Sequence, residues 1–575
     1  MATGGLLVDF QDRTLILTLA NAPSNGLTPA LRAALLTELA TPFAGCDSVV
    51  LAGAGVNFSS LLPMEPDTAQ PSLADLCRAV SGASVPVVAA IQGLAMGPGA
   101  ELALAAHARI GAPGCRIAFP EVALGLCPTA GSTRRLPQRV GASAALQLLL
   151  TGRVVPDAEA LGLGLLDELA TGPLLPAAIA LAEGLARGQS LPGQGLVRPP
   201  EAAASWQAAV AAARRAHVGA LPATRRITDC VEAALLLPAE SADSFETVAR
   251  TDLEATPEAA ALCAIAQAER RAARLPAAVA RAEPVPLTTL GLVGEAPALV
   301  LLARAALRER IPLRWLHPSR RVMMASLGPF DPDPKDLQHV EDSADLNGLA
   351  LQVHATAPIA GPLRTHSDGT ALVVLDGAEG EMGLSIAPSG RACEVSILAE
   401  EAPQAIATAV AGLRRLRLVP LLVGHRPGLG RTVMRAGDLA LARLAASGVA
   451  LRQLAAAVSA YGVRLPDTQG AATARDMTEA EICNRWLGAM TTAGLRLLDQ
   501  GVARRPSDID HLLVAGYGFP RWKGGPMHLA DRRGLLVLRH DLRLWAAEDP
   551  VWTPASLLDR LIQDGRRLSV LDGSP

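Results

Sequence analysis

Apolar positions in this chain follow two rhythms, short unbroken runs and longer runs at helical spacing, and the two alternate. Residues 5–20, GLLVDFQDRTLILTLA, predict two short strands around a polar Gln-Asp-Arg turn. NAPSNGLTPALRAALLTEL follows as a loop and an amphipathic helix. Asp47–Gly53 and Val85–Ile91 are short, apolar and rich in β-branched residues, which suits buried strands. Gly93, Gly97 and Gly99 then permit a tight turn and close approach of a ligand to the backbone. Glu101–His107 reads as the start of a helix, whose free N–H groups suit a developing negative charge. A short strand and a second turn lead to Glu121. Alanine-rich helical runs fill residues 140–275, broken by prolines near 156, 173 and 192–200. Within them, residues 243–275 predict one or two long helices, and Arg281–Pro286 a linker. The alternation resumes at Leu287–Gly294, where a strand, a helix and a second strand, LRWL, make a βαβ unit. Near the end, Thr478–Glu481 is a capping box before a periodic helix. Ile482, Trp486, Met490, Leu495 and Leu498 form its expected buried stripe. The class is α/β.

Composition narrows the reading. A chain of 575 residues implies several domains, and 50% hydrophobic content is enough for sizeable cores. Aromatics are only 3%, so those cores are built from Ala, Leu and Val. A net charge of −3 leaves no footprint for nucleic acid. Eight cysteines lie scattered without CxxC pairs or histidine spacing, which argues against a metal site and a disulfide framework and fits a reducing cytoplasm. The N-terminal MATGGLLVDFQDRT has no basic, then apolar, leader pattern, and the terminal DGSP is not an address of the Ser-Lys-Leu type. With no uninterrupted apolar run of about 18 residues, no membrane span is expected. The expected location is cytoplasmic.

The stretch AAIQGLAMGPGAELAL, followed by FPEVALGLCPTAGSTRRLP, resembles the core of the crotonase (enoyl-CoA hydratase/isomerase) superfamily. Strand, glycine turn, both acids and the trailing PEVxLGLxP segment agree together; the plain alternative is two surface glutamates on an ordinary α/β domain. The resemblance implies a ββα-spiral fold and an acyl-CoA thioester substrate, with Glu101 and Glu121 as the catalytic acids and no cofactor. By position, Glu101 activates water for addition at C3 and Glu121 protonates C2. For Δ3/Δ2 isomerisation Glu121 alone suffices. Two amides match the donors that hold the thioester oxygen, those of Leu62 and Pro98. Proline has no N–H, which leaves three readings: the turn shifts so that Gly99 donates, a water replaces the amide, or proline merely occupies a first helical turn. The loop at Gly55–Met64 departs from the family: after Phe58, Ser59 and Ser60, the usual glycine and aspartate are missing. Residues 152–169 resemble the segment that closes the crotonase core.

The remainder resembles the multifunctional β-oxidation enzymes, which join a hydratase to a dehydrogenase. Residues 472–534 match their all-helical C-terminal domain, above all YGFPRWKGGPM at 517–527. Between, the NAD-binding pattern G-x-G-x-x-G becomes Gly294, Ala296 and Leu299. The alanine puts a methyl where a pyrophosphate meets bare backbone, and the leucine is expected to push the helix off its strand. His317 stands where an acid should hold the ribose. Ser385 replaces the catalytic histidine, although its partner glutamate is matched by Glu394, and Thr432 replaces a conserved-pattern asparagine. A serine has no pKa suited to a general base; His354, His366 and His425 are candidates to replace it. NAD is therefore not expected to bind, while Arg320 and Arg321 make NADP worth testing.

The resemblance divides the chain into a crotonase-like domain (1–240), a linker helix (241–284), a degenerate Rossmann-like domain (285–422) and two helical C-terminal domains (423–470 and 471–575). Three functions compete: a hydratase/isomerase whose dehydrogenase half has lost its cofactor, a working bifunctional enzyme, and a non-catalytic acyl-CoA-binding scaffold. The expected assembly is a monomer or small oligomer, alone or with a thiolase.

Overall fold

The computed structural model describes residues 2–40, 45–64, 69–190, 202–328, 330, 332–333, 335–355, 371–375, 382–397, 402–465 and 475–573. They form two compact units, Met1–Cys263 and Ala264–Pro575.

The first unit is built on a seven-stranded sheet in the order Ala2–Thr3, Leu6–Gln11, Thr14–Leu19, Ser48–Gly53, Val87–Ile91, Ala108–Gly111, Glu168–Leu169. The first three strands are antiparallel and the others parallel. Val49, Val50 and Leu51 are all fully buried, as a parallel strand covered on both faces requires. Val50, Val88, Ala90, Ala108 and Ile110 share one face and pack against Ala178, Ile179 and Ala182 of the helix Leu174–Ala186. A second sheet carries Leu94–Met96, Arg116–Ala118 and Val155–Pro156. The chain thus gives one strand to each sheet and then a helix, twice over, which is the ββα spiral.

Two glycines make the first crossing possible. Gly93 has φ +57°, and a side chain there would collide with the carbonyl of Val56. Gly97, φ +53°, ends the short strand and opens the helix Pro98–Ala105. This helix begins three residues before the Glu101 start read from the sequence, because proline is pre-set for the first helical position.

The helix Ala239–Glu254, assigned to a linker from the sequence, belongs to this first unit. It packs on the helices Pro222–Leu236 and Ser132–Val140. Ala242, Glu246, Ala249 and Leu253 are buried, a stripe at helical spacing. In the next helix, Pro257–Ala273, Ala259, Ala261 and Leu262 are buried as well.

The second unit opens with eight strands in the order Leu337–Val340, Leu313–Leu316, Leu290–Val293, Leu351–His354, Ala371–Leu375, Gly383–Ile386, Ala392–Ser396, Val419–Val423. All pairs are parallel except Gly383–Ile386 with Ala392–Ser396. The first six follow the doubly wound order of dinucleotide-binding folds. Leu299, on the helix Pro297–Arg308, does not push that helix away. It is fully buried in one core with Leu290 and Leu292, filling the space between helix and strands.

From Leu429 the described chain is helical. In the helix Glu479–Asp499, Ile482, Trp486, Met490 and Leu495 are buried, with Leu497 rather than Leu498 completing the stripe. Only half of the expected capping box forms: Thr478 accepts from the Glu481 amide, while the Glu481 carboxylate pairs with Arg485. In the 517–527 segment Gly518 and Gly524 have φ of +79° and +76°. Asp510 accepts from the Met527 and His528 amides, capping the helix Pro526–Arg533. No helix among the described residues is long and apolar enough to cross a membrane.

Candidate active site

Glu101 lies in the first turn of the helix Pro98–Ala105, and Glu121 leads a short 3-10 turn, Glu121–Leu124. Both are 2% exposed and both line one cavity of about 420 Å³. The cavity also meets Leu62 and Pro98, so the structure brings together four of the five residues singled out in this half. Gly99 is not among the described lining residues; it packs against Ser59, whose carbonyl a side chain at 99 would strike.

The two carboxyls differ in their surroundings. Glu101 Oε2 accepts from the Thr129 amide at 3.0 Å, the Ala130 amide at 2.8 Å and the Ser132 hydroxyl at 3.0 Å. Burial pushes its pKa up, and those three donors oppose the push by favouring the ionised form. Glu121 has no such donors: both of its oxygens are buried without a hydrogen-bond partner. Burial, and then the neighbouring Glu101 charge, push its pKa up to about 8. Two carboxyls that interact this way titrate as a pair sharing one proton. The geometry puts the charge on Glu101 and the proton on Glu121. Gly97 makes this possible, since a side chain there would meet Glu121 Oε1 at 3.0 Å.

The helix Ala239–Glu254 supplies residues that the sequence reading missed. Arg250 lines the cavity, donates to the Cys127 carbonyl at 2.7 Å and to Glu254 at 2.7 Å, and its charge opposes the rise at Glu121. Glu246 is fully buried and accepts from the Gly131 and Thr133 amides. The available signal was the spacing Glu246, Arg250, Glu254, which puts three charges on one helix face.

The residues of the dehydrogenase pattern fall otherwise. Ser385 and Glu394 are opposite each other on the antiparallel strand pair. Glu394 accepts from the amides of Gly428, Leu429 and Gly430 and so caps the helix Leu429–Ala446. Arg431 donates to the Ser385 hydroxyl at 3.1 Å, and Thr432 bonds the Gly428 carbonyl of its own helix. His354 is half-buried beside Gln352, with its pKa lowered by burial; His366 lies outside the described residues. Among the described residues, neither His354 nor His425 hydrogen-bonds Ser385 or Glu394.

At the expected cofactor mouth, Gly294 has φ +95° and Ala296 is the N-terminal cap of the helix Pro297–Arg308. The methyl of Ala296 packs against the core. Glu295 lies between them, its carboxylate 3.6 Å from His317 Nε2. An acid thus stands at the helix mouth, where a pyrophosphate would bring its own negative charge. Among the described residues no group of three or more His, Cys, Asp or Glu could hold a metal ion.

Residues 16–216 match the family model for enoyl-CoA hydratase/isomerase, and residues 482–569 that for the C-terminal domain of 3-hydroxyacyl-CoA dehydrogenase. A peroxisomal bifunctional enzyme of Cavia porcellus is 25% identical, over 96% of each chain. One of Danio rerio is 40% identical over 159 residues, 27% of this chain and 22% of that protein. Among solved structures, a monofunctional enoyl CoA isomerase from M. smegmatis is 30% identical and covers 34% of this chain and 90% of its own, with a TM-score of 0.27.

Proposed function

We propose that this chain, which carries an enoyl-CoA hydratase/isomerase domain and a 3-hydroxyacyl-CoA dehydrogenase C-terminal domain, hydrates 2-enoyl-CoA thioesters and moves Δ3 double bonds to Δ2, using Glu101 and Glu121. The observation that carries this reading is the pair itself: one carboxylate held by three donors beside one carboxyl with none, both buried on a single cavity.

In the hydration direction, ionised Glu101 takes a proton from water as the water oxygen bonds to C3. The double-bond electrons move toward the thioester carbonyl, and Glu121 gives its proton to C2. Proton exchange between the acids and solvent then restores the starting state. For isomerisation, Glu121 in its ionised form takes a proton from C4 and returns it to C2. The carbonyl oxygen needs donors where its charge develops. The Leu62 amide is one candidate; Pro98, at the second position, has no N–H to give.

The dehydrogenase half is read as having lost NAD-dependent oxidation. Glu295 at the helix mouth and the Ser385–Arg431 contact support this. We assign it residues 285–422, followed by helical domains at 423–470 and 471–575. Similarity to a peroxisomal bifunctional enzyme over nearly the whole chain supports a role in fatty acyl-CoA oxidation. Eight free cysteines support a reducing, cytoplasmic location, and cell fractionation distinguishes that from peroxisomes.

The test is hydration of crotonyl-CoA by the purified full chain, with and without NAD. Hydration that does not continue to oxidation is the expected result. Pro98 favours a second reading, a non-catalytic acyl-CoA binder, and binding without turnover would establish it. Oxidation of the 3-hydroxyacyl product with reduction of NAD would restore the working bifunctional enzyme.

A further inference from the structure

The turn Thr129–Thr133 is held from two sides by two buried carboxylates. Glu101 takes the Thr129 and Ala130 amides and the Ser132 hydroxyl. Glu246 takes the Gly131 amide at 2.6 Å, the Thr133 amide at 2.7 Å and the Thr133 hydroxyl at 2.5 Å. Along five consecutive residues the donors go to Glu101, Glu101, Glu246, Glu101 and Glu246. Gly131, with φ +78°, makes the reversal between the two sets. Glu246 also stands at the N-terminus of the helix Ser132–Val140. A neutral Ser or Asn would serve there as a cap, whereas a buried carboxylate is tolerated only when its oxygens are well bonded.

We propose that Glu246 is a positioning residue for Glu101: by fixing the amides of 131 and 133 it aims those of 129 and 130, and the 132 hydroxyl, at the Glu101 carboxylate. It does not touch substrate. Its effect passes through the turn, and the helix that carries it is thereby part of the active site. The inference rests on the hydratase/isomerase reading above.

The groups around Glu246 set what a pH profile reports. Glu101 and Glu121 face it across the turn, Arg134 lies on the helix Ser132–Val140, and Cys77 and Cys127 are nearby. Arg250 lies one turn on along its own helix, and Cys230 is the buried titratable group of the helix Pro222–Leu236. Burial pushes Glu246 itself up to about 7. Its charge, when ionised, adds to the rise at Glu121.

The experiment compares Glu246→Gln with Glu246→Asp in the full chain, on crotonyl-CoA hydration and on amide deuterium exchange across residues 129–133. In Glu246→Gln, kcat is expected to fall by up to about a hundredfold, the scale of a misplaced catalytic group, with KM changed by less than about twofold. The alkaline limb of the pH profile moves to lower pH, exchange across 129–133 quickens, and Glu246→Asp recovers part of each. The limb moves with the lost charge in either case, but a cap with only a structural role would not lower kcat apart from KM. Unchanged exchange, unchanged kcat, or a loss that appears equally in KM overturns the proposal. If Glu246→Gln does not fold, Thr133→Val, which removes one bond of the three, is read by the same criteria. If the wild-type chain hydrates nothing, the hydratase reading falls, and exchange alone decides: faster exchange in the variant supports positioning and unchanged exchange rejects it.

Discussion

Glu121 carries the sharpest consequences of any single residue. Its carboxyl has no hydrogen-bond partner and a pKa pushed up to about 8, by burial first and the Glu101 charge second. An acid that acts in its protonated form is lost as pH rises through that value, so kcat/KM for hydration is expected to fall above about pH 8. The same shift bears on stability. The folded state keeps a proton that the unfolded state releases near the ordinary carboxyl value of 4.5, so this contribution is complete below that value and is lost as pH rises through about 8. Glu121→Gln removes the proton donor while keeping the shape. It is expected to lower hydration and isomerisation alike by about 10²–10⁴-fold, to leave acyl-CoA binding intact, and to melt no lower than wild type above pH 8. An active variant would remove Glu121 from the site. Glu101→Gln, by contrast, should reduce hydration more than isomerisation, because only hydration requires water to be activated; equal loss in the two assays would contradict that division. Both glutamates were legible in the sequence because each sits in a short local pattern beside a glycine turn. Which of them holds the proton was not legible, since that depends on donors from 129–132 that reach back 28 to 31 residues.

Among the elements, the helix Pro98–Ala105 and the helix Pro297–Arg308 pose opposite questions. Both begin with proline after a glycine-bearing turn. At the first, proline sits in the cavity where a donor should serve the thioester oxygen. The missing hydrogen bond is worth about 2.7–4 kcal/mol in the transition state, against about 0.5–1 kcal/mol lost by placing glycine in a helix. Pro98→Gly is therefore expected to raise kcat for crotonyl-CoA hydration; no change would mean that another amide already fills the role. At the second helix the question is charge rather than bulk. The sequence pointed to Ala296 and Leu299 through their mismatch to a glycine pattern. The structure weakens both objections, because Leu299 and the Ala296 methyl pack on the core instead of lifting the helix or facing its mouth. It adds Glu295, which no pattern of glycines would flag, at the mouth where phosphates would lie. NADH and NADPH are expected to show no saturable binding in fluorescence titrations reaching millimolar concentration. Saturation by either, with reduction of the oxidised form by 3-hydroxybutyryl-CoA, would return the second half to the dehydrogenases.

On the scale of the whole molecule, the sequence separated a crotonase-like half from a dehydrogenase-like half because each has its own local motifs. The resemblance assigned the helix Ala239–Glu254 to a linker, whereas in the structure it lies in the first unit. Its partners, Gly131 and Thr133, lie 115 and 113 residues earlier, and no periodicity reports a contact of that range. The consequence is testable by where the chain is cut. A chain ending at residue 240 would lack Ala242, Ala249 and Leu253 from the core, and Glu246 and Arg250 from the site. It would also lose Ala259 and Leu262, which lie against Gly125, just past the Glu121 turn. Removing that many buried side chains exceeds the few kcal/mol by which a domain is stable. A chain ending at residue 274 keeps all of them, together with the complete helix Pro257–Ala273. The longer piece is expected to be soluble and to retain crotonyl-CoA hydration, and the shorter one to aggregate with activity below detection. Activity in a folded 1–240 piece would show that the helix Ala239–Glu254 only covers the site, and would withdraw both its place in the first unit and the role given to Glu246.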